Sequence, residues 1–309
     1  MRVYMNNVSV IIPTHNRPQL LLLALQSIEV QTEKPDEVMV VMDGEDGETE
    51  RFLSGYESNH FTFRYLKIPK SKGACYARNL GAENATGDIL MFLDDDDTWE
   101  LEKIKSQLQQ FKLDSNVGLV YSGKLVVYNT NRKKVIRKIP ATIKGNLYPK
   151  IFEDNYIGTT SSVAVKREVF QEAGGFDNNL PAMQDYDLWI RCCERTKVAH
   201  DNQYNVRYTI AKNASNQISG KSENHHRALT YLFDKYRKVL EGKSSTLQRR
   251  FKSSRFLHLS KAVHRNNYLY SLKYSFKSIY YYPNIKAVAL FLPPFLLAFI
   301  SLFQPGRRN

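Results

Sequence analysis

Asp94, Asp95, Asp96 and Asp97 follow one another directly after the apolar run 89–93. Carboxylates packed this closely repel, and a chain that aims them at one point generally does so around a cation. Their hard oxygens suit Mg²⁺ or Mn²⁺, ions that commonly bridge to a diphosphate. The same residues also read as a solvated acidic turn capping a helix that starts near Trp99, since aspartate is favoured at N-caps and in first turns. An apolar strand feeding straight into the acids favours the metal. A second acidic group, Asp185 and Asp187, stands before Leu188-Trp189-Ile190. Two residues apart on a helix, these carboxylates face different sides, so one of them meets a shared site. The cysteines Cys75, Cys192 and Cys193 have no ligand spacing and read as buried thiols in a reducing compartment. None of the seven histidines is placed as a metal ligand.

The elements that must position these groups are visible as alternating strands and helices. Run 8–12 is β-branched and closed by Pro13, and a leucine-rich helix is expected over 18–31. Further apolar runs at 37–42, 61–67 and 88–93 are separated by helical segments. Runs apolar on both faces and spaced by helices predict a mostly parallel sheet covered on both sides, with ligands beyond the carboxyl ends of its strands. Pro13-Thr14-His15-Asn16-Arg17, Asp43 and the four aspartates all fall at such ends. With 309 residues, 42% hydrophobic and 24% charged, the chain is neither disordered, collagen-like nor a disulfide scaffold. The segment after Arg2 lacks the pattern of a signal peptide, so the chain is expected to start in the cytosol.

Five segments in order resemble the family 2 glycosyltransferases: 8–17, Asp43, Gly73-Ala74-Cys75-Tyr76-Ala77-Arg78-Asn79, Phe92-Leu93 with the four aspartates, and Gly174-Gly175-Phe176-Asp177 with Gln184-Asp185-Tyr186-Asp187-Leu188-Trp189. The resemblance spans roughly 7–215. It implies a GT-A fold, that is, a Rossmann-like, mostly parallel α/β sheet flanked by helices. It also implies a nucleotide-diphospho-sugar donor, UDP-linked by the fit of a carboxylate to uracil, a divalent cation, and transfer with inversion. By the same resemblance Pro13, Thr14, His15 and Arg17 line the nucleoside and donor side, and Asp43 bonds the base. Arg78 contacts donor oxygens or pairs with the acids. Asp96 is the metal ligand, Asp94 and Asp95 lie toward the ribose or sugar with Asp94 also near the metal, and Asp97 stands behind them.

An inverting displacement needs a base across the sugar from the leaving group. Asp185 matches the family's second acid and is the first choice, with Asp187 the alternative. Gln184 stands where relatives carry an acid, which leaves Asp185 a lower pKa than in an acidic pair. Gly174 and Gly175 wall the acceptor pocket in the family. Trp189 either stacks on a sugar ring or belongs to the core. Where relatives often have a histidine this chain has Ala211, with Ser215, Asn216 and Ser219 as polar replacements.

The net charge of +13 is uneven: residues 1–200 carry 25 Lys/Arg against 27 Asp/Glu, and 201–309 carry 19 against 4. Domain boundaries are placed accordingly, with a catalytic domain over 1–220 (nucleotide-sugar half about 1–100, acceptor half about 101–220) and a basic helical tail over 221–309. Leu269, Leu272, Phe276 and Ile279 form a helical stripe among lysines and tyrosines, an interfacial pattern. The stretch 287–303 is uncharged but broken by Pro293-Pro294, which predicts an in-plane hairpin, a kinked span, or packing on protein. The expected partners are therefore a nucleotide sugar, a glycan or lipid-linked acceptor and a membrane surface through 268–303, not nucleic acid. The expected place is the cytoplasmic face of the cell membrane, peripheral or monotopic, and the expected role is surface polysaccharide assembly. Two other classes stay open: a sugar nucleotidyltransferase, which would want a Gly-rich basic loop after the first strand, and a non-catalytic nucleotide-sugar-binding relative.

Overall fold

Every position of Val8–Thr14 (β1) and of Glu37–Asp43 (β2) is buried, which only a sheet covered on both faces allows. The computed structural model describes residues 7–211, 222–264 and 267–293. The chain divides into two units, the first made of Met1–Leu147, Tyr156–Asn178 and Asp185–Ile210, the second of Tyr148–Asn155, Asn179–Gln184 and Ala211–Asn309.

In the first unit β1 is followed by α1 (Pro18–Glu29), β2, α2 (Gly47–Ser54), β3 (Thr62–Ile68), α3 (Ala74–Asn84), β4 (Ile89–Phe92), β5 (Thr98–Trp99), α4 (Lys103–Leu113), β6 (Val117–Tyr121), β7 (Lys124–Tyr128), β8 (Asn131–Ile139), β9 (Val163–Lys166), α5 (Arg167–Glu172), α6 (Gln184–Cys193), β10 (Lys197–His200) and β11 (Val206–Ile210). The large sheet has the order β10-β6-β9-β4-β1-β2-β3. Only β9 runs against its neighbours. A smaller sheet, β5-β11-β7-β8, is mixed.

Pro18 starts α1 without needing an N–H, and Leu21, Ala24, Leu25 and Ile28 bury one face of it against the sheet. Helix α3 lies closer still. A Cβ on Gly81 would sit 2.5 Å from Ile11 Cγ2 and 3.1 Å from Val41 Cγ2, so glycine sets how near α3, and with it Arg78, approaches β1.

The helix expected from Trp99 is not there. Thr98–Trp99 is a short strand paired with Val206 and Arg207, and α4 begins at Lys103. Trp99 donates its backbone N–H to Ser27 Oγ (3.1 Å) and its indole N–H to the Ser161 carbonyl (2.9 Å). Those distant partners hold the chain extended where local preference favoured a helix.

The second unit holds α7 (Ser222–Lys235), α8 (Arg237–Glu241), α9 (Ser245–Val263), α10 (Tyr268–Tyr281) and α11 (Ile285–Ala289). Phe152 packs edge-on against Tyr236 (5.2 Å) and Phe251 (5.6 Å), giving these helices an aromatic core. No helix among the described residues is long and apolar enough to cross a membrane. Ser215, Asn216, Ser219 and positions 294–303 of the apolar stretch lie outside the described residues.

Glu37 ties β1 to the loop before β4. It accepts from Ser9 Oγ, from the Thr86 N–H and hydroxyl, and from Arg64. Burial alone would raise its pKa, but these donors together bring it down to about 2. A folded-state pKa below the unfolded value stabilises the fold above the unfolded pKa, and the contribution fades as pH falls toward 2. Glu37→Gln should therefore cost about 2 kcal/mol at pH 7 and progressively less toward pH 3. Urea unfolding across that range checks it, and a pH-independent loss would refute the account.

Candidate active site

The acidic turn is built at the end of β4. Asp94 donates its N–H to Ser161 Oγ (3.1 Å), and Asp97 donates its N–H to the Asp94 carbonyl (3.0 Å). The four carboxylates then part ways. Asp97 is fully buried and accepts from Ser161 Oγ (2.6 Å) and the Thr209 N–H (2.8 Å). Burial first, then the charges of Asp96 and Asp94, push its pKa well up. Asp95, also buried, accepts from Thr14 Oγ1 (2.9 Å) and Arg17 (3.2 Å). Its pKa is raised by burial against the pull of Arg17 and Thr14.

Asp94 and Asp96 stay partly open, with side chains 24% and 23% exposed. Asp94 pairs with Arg78 at 2.5 Å. Arg78 is thus no helix-surface arginine: it is buried, and its guanidinium lies 5.3 Å from the centre of the Phe176 ring. The Asp96 carboxylate meets Arg17 at a longer 3.4 Å. Burial and the charges of Asp94 and Asp95 raise its pKa to about 6.

The smaller sheet adds groups that sequence reasoning missed. Arg132 on β8 donates to the Asp96 carbonyl (2.9 Å), while its buried Nη1 has no hydrogen-bond partner among the described residues. Lys124 opens β7 and lies 4.9 Å from the centre of the Tyr208 ring on β11. Burial lowers the pKa of Lys124 against the pull of Asp185 and Asp97, and burial with the nearby aspartates raises that of Tyr208. A lysine at the head of an otherwise apolar run was the only local signal.

Helix α6 separates the two candidate bases. Asp187 is fully buried and bound by Arg191 (2.6 Å), which also donates to the carbonyls of Ala173 and Gly175. That fixes Asp187 in a structural ion pair. Asp185 is half-buried and accepts from the Tyr186 N–H (2.7 Å). Burial raises its pKa, while Lys124 and Arg78 pull it down and Asp94 adds to the rise. Asp185 is therefore within electrostatic reach of the acidic turn and its arginine.

Gly174 and Gly175 both take positive φ, +77° and +65°. A Cβ on Gly175 would meet Asn79 Oδ1 at 2.7 Å. Asn79 clamps this loop, accepting from the Phe176 N–H and donating to its carbonyl, each at 2.8 Å. Of its two readings Trp189 takes the core one: its ring is fully buried and donates to the Gly158 carbonyl (2.9 Å), with no face open to a sugar. The three cysteines are free and buried, with Cys75 pushed up by burial to about 12, so none is poised as a nucleophile.

At the carboxyl ends of β1 and β2, Pro13 lies inside β1, and His15 donates from Nδ1 to the Asp43 carbonyl. Asp43 fastens the following loop. Oδ2 accepts from Ser71 Oγ (2.8 Å) and the Gly73 N–H (2.9 Å), and Oδ1 accepts from the Lys72 N–H (2.7 Å). Oδ1 keeps capacity for a second donor.

No group of three or more His, Cys, Asp or Glu among the described residues is arranged to hold a metal by itself. The donor set nonetheless suits a hard cation. Asp94 and Asp96 offer partly open carboxylate oxygens, and Asp96 carries a charge that Arg17 meets only at 3.4 Å. A bound diphosphate would have to complete such a shell.

A family model described as glycosyl transferase family 2 matches residues 9–174. An uncharacterised glycosyltransferase of Haemophilus influenzae is 28% identical over 236 residues, 75% of this chain and 78% of that protein. The amylovoran biosynthesis glycosyltransferase AmsB of Erwinia amylovora is 27% identical over 190 residues, 59% of this chain and 62% of its own. Among solved structures, S. aureus TarS 1–349 with UDP-GlcNAc matches at TM-score 0.57 and 15% identity, covering 91% of this chain and 90% of that one. The mannosyltransferase PcManGT of Pyrobaculum calidifontis with GDP-Man and Mn²⁺ matches at TM-score 0.56 and 19% identity, covering 98% and 82%. At such identities these structures show a shared fold, the GT-A-like α/β fold.

A raised folded-state pKa at Asp96 means that the folded protein holds a proton the unfolded chain has released. Its stability then falls as pH rises from about 4 through about 6. In the metal-free protein Asp96→Asn should raise stability at pH 7.5 by on the order of 1 kcal/mol and change little at pH 4. Thermal melts at both pH values check this, and destabilisation at pH 7.5 would refute it.

Proposed function

The chain belongs to glycosyl transferase family 2 and is a glycosyltransferase, and from that premise we propose that it is an inverting, cation-dependent enzyme. It moves a sugar from a nucleotide-diphospho-sugar, UDP-linked, to a hydroxyl of a glycan or lipid-linked acceptor in surface polysaccharide assembly. The observation that carries the reading is Asp185: a half-buried carboxylate of α6 that lies in the field of Lys124, Arg78 and Asp94, while Asp187 is paired with Arg191. A base and a leaving-group site in one field are what an in-line displacement requires.

In this reading Asp185 takes the proton of the acceptor hydroxyl as its oxygen bonds to the anomeric carbon. The bond from that carbon to the diphosphate oxygen breaks, and its electron pair leaves with the diphosphate. Arg78, Arg132 and Lys124 face the growing negative charge as fixed donors that need no reorganisation. Pro13, Thr14, His15 and Arg17 border the nucleoside, and Asp43 meets the base through the spare capacity of Oδ1. Asp96 with Asp94 would hold Mg²⁺ or Mn²⁺. When bound, that cation supplies neutralisation of charge on the diphosphate. Gly174 and Gly175 wall the acceptor side.

The UDP-GlcNAc bound by TarS supports the donor class, and the GDP-Man and Mn²⁺ bound by PcManGT support a cation. The amylovoran role in the name of AmsB supports the pathway class. A lipid-linked acceptor goes with a place at the cytoplasmic face of the cell membrane, peripheral or monotopic, with contact through 268–303.

Asp185→Asn should lower kcat by about 10³-fold, with donor affinity changed less than about threefold. Asp96→Ala should weaken Mn²⁺-dependent donor binding about tenfold. Single-turnover transfer and donor titrations check both. Normal turnover in Asp185→Asn would remove the base assignment, and donor binding without any transfer or hydrolysis by the wild type would favour the non-catalytic reading.

A further inference from the structure

Helix α10 is built inside out. A helix on a soluble protein turns its apolar stripe inward, but here the inward positions are Ser271, Tyr274, Ser275 and Ser278. They meet serines of α9. Ser253 and Ser278 bond at 3.0 Å, Ser260 bonds Ser271 at 2.9 Å and Ser275 at 2.8 Å, and His264 Nδ1 reaches Ser271 Oγ at 2.9 Å. Small, mutually bonded side chains let two helices approach closely, and Phe256 of α9 stacks on Tyr274 and Tyr281 of α10 beside them.

Leu272 and Ile279 are half-buried, Ile279 against Leu257, Ala287 and Leu290, but other large apolar residues are left outside. Leu269 is 76% exposed, Phe276 63% and Tyr280 78%. At 100° per residue the steps from Leu269 to Phe276 and on to Tyr280 keep all three on one face. On α11 Ile285 is 79% exposed and Val288 is exposed as well. Phe276 meets the Phe291 ring at 4.6 Å. Lys273 and Lys277 stand exposed among these residues, and Lys286 is exposed on α11.

Charge selects the occupant. Positions 242–309 hold 12 Lys/Arg and neither Asp nor Glu. A second copy on this face would oppose lysine to lysine. Nucleic acid would match the charge but leave Leu269, Phe276 and Ile285 without an apolar partner. Anionic lipid answers both, since acyl chains take the apolar tips while lysine stems lie along the surface with their ammonium groups among the headgroups. We propose that the outer face of α10 and α11 is a docking surface for an anionic bilayer, occupied by phospholipid headgroups and the upper acyl region. This rests on the membrane placement in the proposed function and not on its chemistry.

The full chain should sediment with vesicles of phosphatidylcholine containing about 30% phosphatidylglycerol, and about tenfold less with phosphatidylcholine alone or in high salt. The triple variant Leu269→Ser, Phe276→Ser, Ile285→Ser should partition at least about tenfold less than wild type, with unchanged circular dichroism and unchanged donor binding. Equal partitioning of variant and wild type would overturn the surface. So would a wild-type dimer in ultracentrifugation that the variant fails to form, because the face would then be a protein interface. Should wild type bind vesicles but no sugar nucleotide, the proposed function fails and the surface stands.

Discussion

Four adjacent carboxylates in a site largely closed to water can share one turn only if fixed donors hold them apart. The first unit is organised to do this. Ser161 and the Thr209 N–H take Asp97, Thr14 and Arg17 take Asp95, and Arg78 takes Asp94. Each donor comes from a different element, so the sheet, α3 and β11 must all be in place before the turn can exist. What is left over is the charge on Asp96, weakly met and raised in pKa. That imbalance is the resource an anionic donor and its cation would draw on.

Two sheets divide the work. The large parallel sheet delivers carboxylates at strand ends, where α/β folds bind ligands. The smaller sheet delivers Arg132, Lys124 and Tyr208 to the same region. Opposite charge therefore converges from separate layers, which preorganises the site electrostatically. The glycines at 174 and 175 belong to the same logic. Their positive φ and the close approach of Asn79 hold the loop in one shape, and Arg191 links that loop to Asp187. Of two acids two positions apart, Asp187 braces the scaffold through Arg191 and Asp185 lies in the field of Lys124 and Arg78.

The second unit obeys a different rule. Its helices have an aromatic core around Phe152, Phe251 and Tyr236, yet α9 and α10 meet through serines. Leu269, Phe276 and Tyr280 of α10 stay exposed, and the sequence over 242–309 carries no acidic residue.

Local pattern in the chain determined the alternation of strands and helices, the parallel sheet, the acidic turn at a strand end and the helix at 268–281. These depend on backbone periodicity and charge density, which act over a few residues. Local pattern did not show which carboxylates stay open, although the family resemblance pointed to Asp96 and Asp94. The outcome depends on Thr14 meeting Asp95 across 81 residues and Thr209 meeting Asp97 across 112. For the same reason Trp99 is a strand residue, Trp189 is core, Asp187 is an ion-pair partner, and Lys124 and Arg132 belong to the site. The stripe at 269–279 was visible as a period, but packing divided it: Leu269 and Phe276 stay exposed, while Leu272 and Ile279 are half-buried, Ile279 against Leu257. Spacing reports which side chains share a side, and only the packed neighbours decide whether that side meets protein, ligand or solvent.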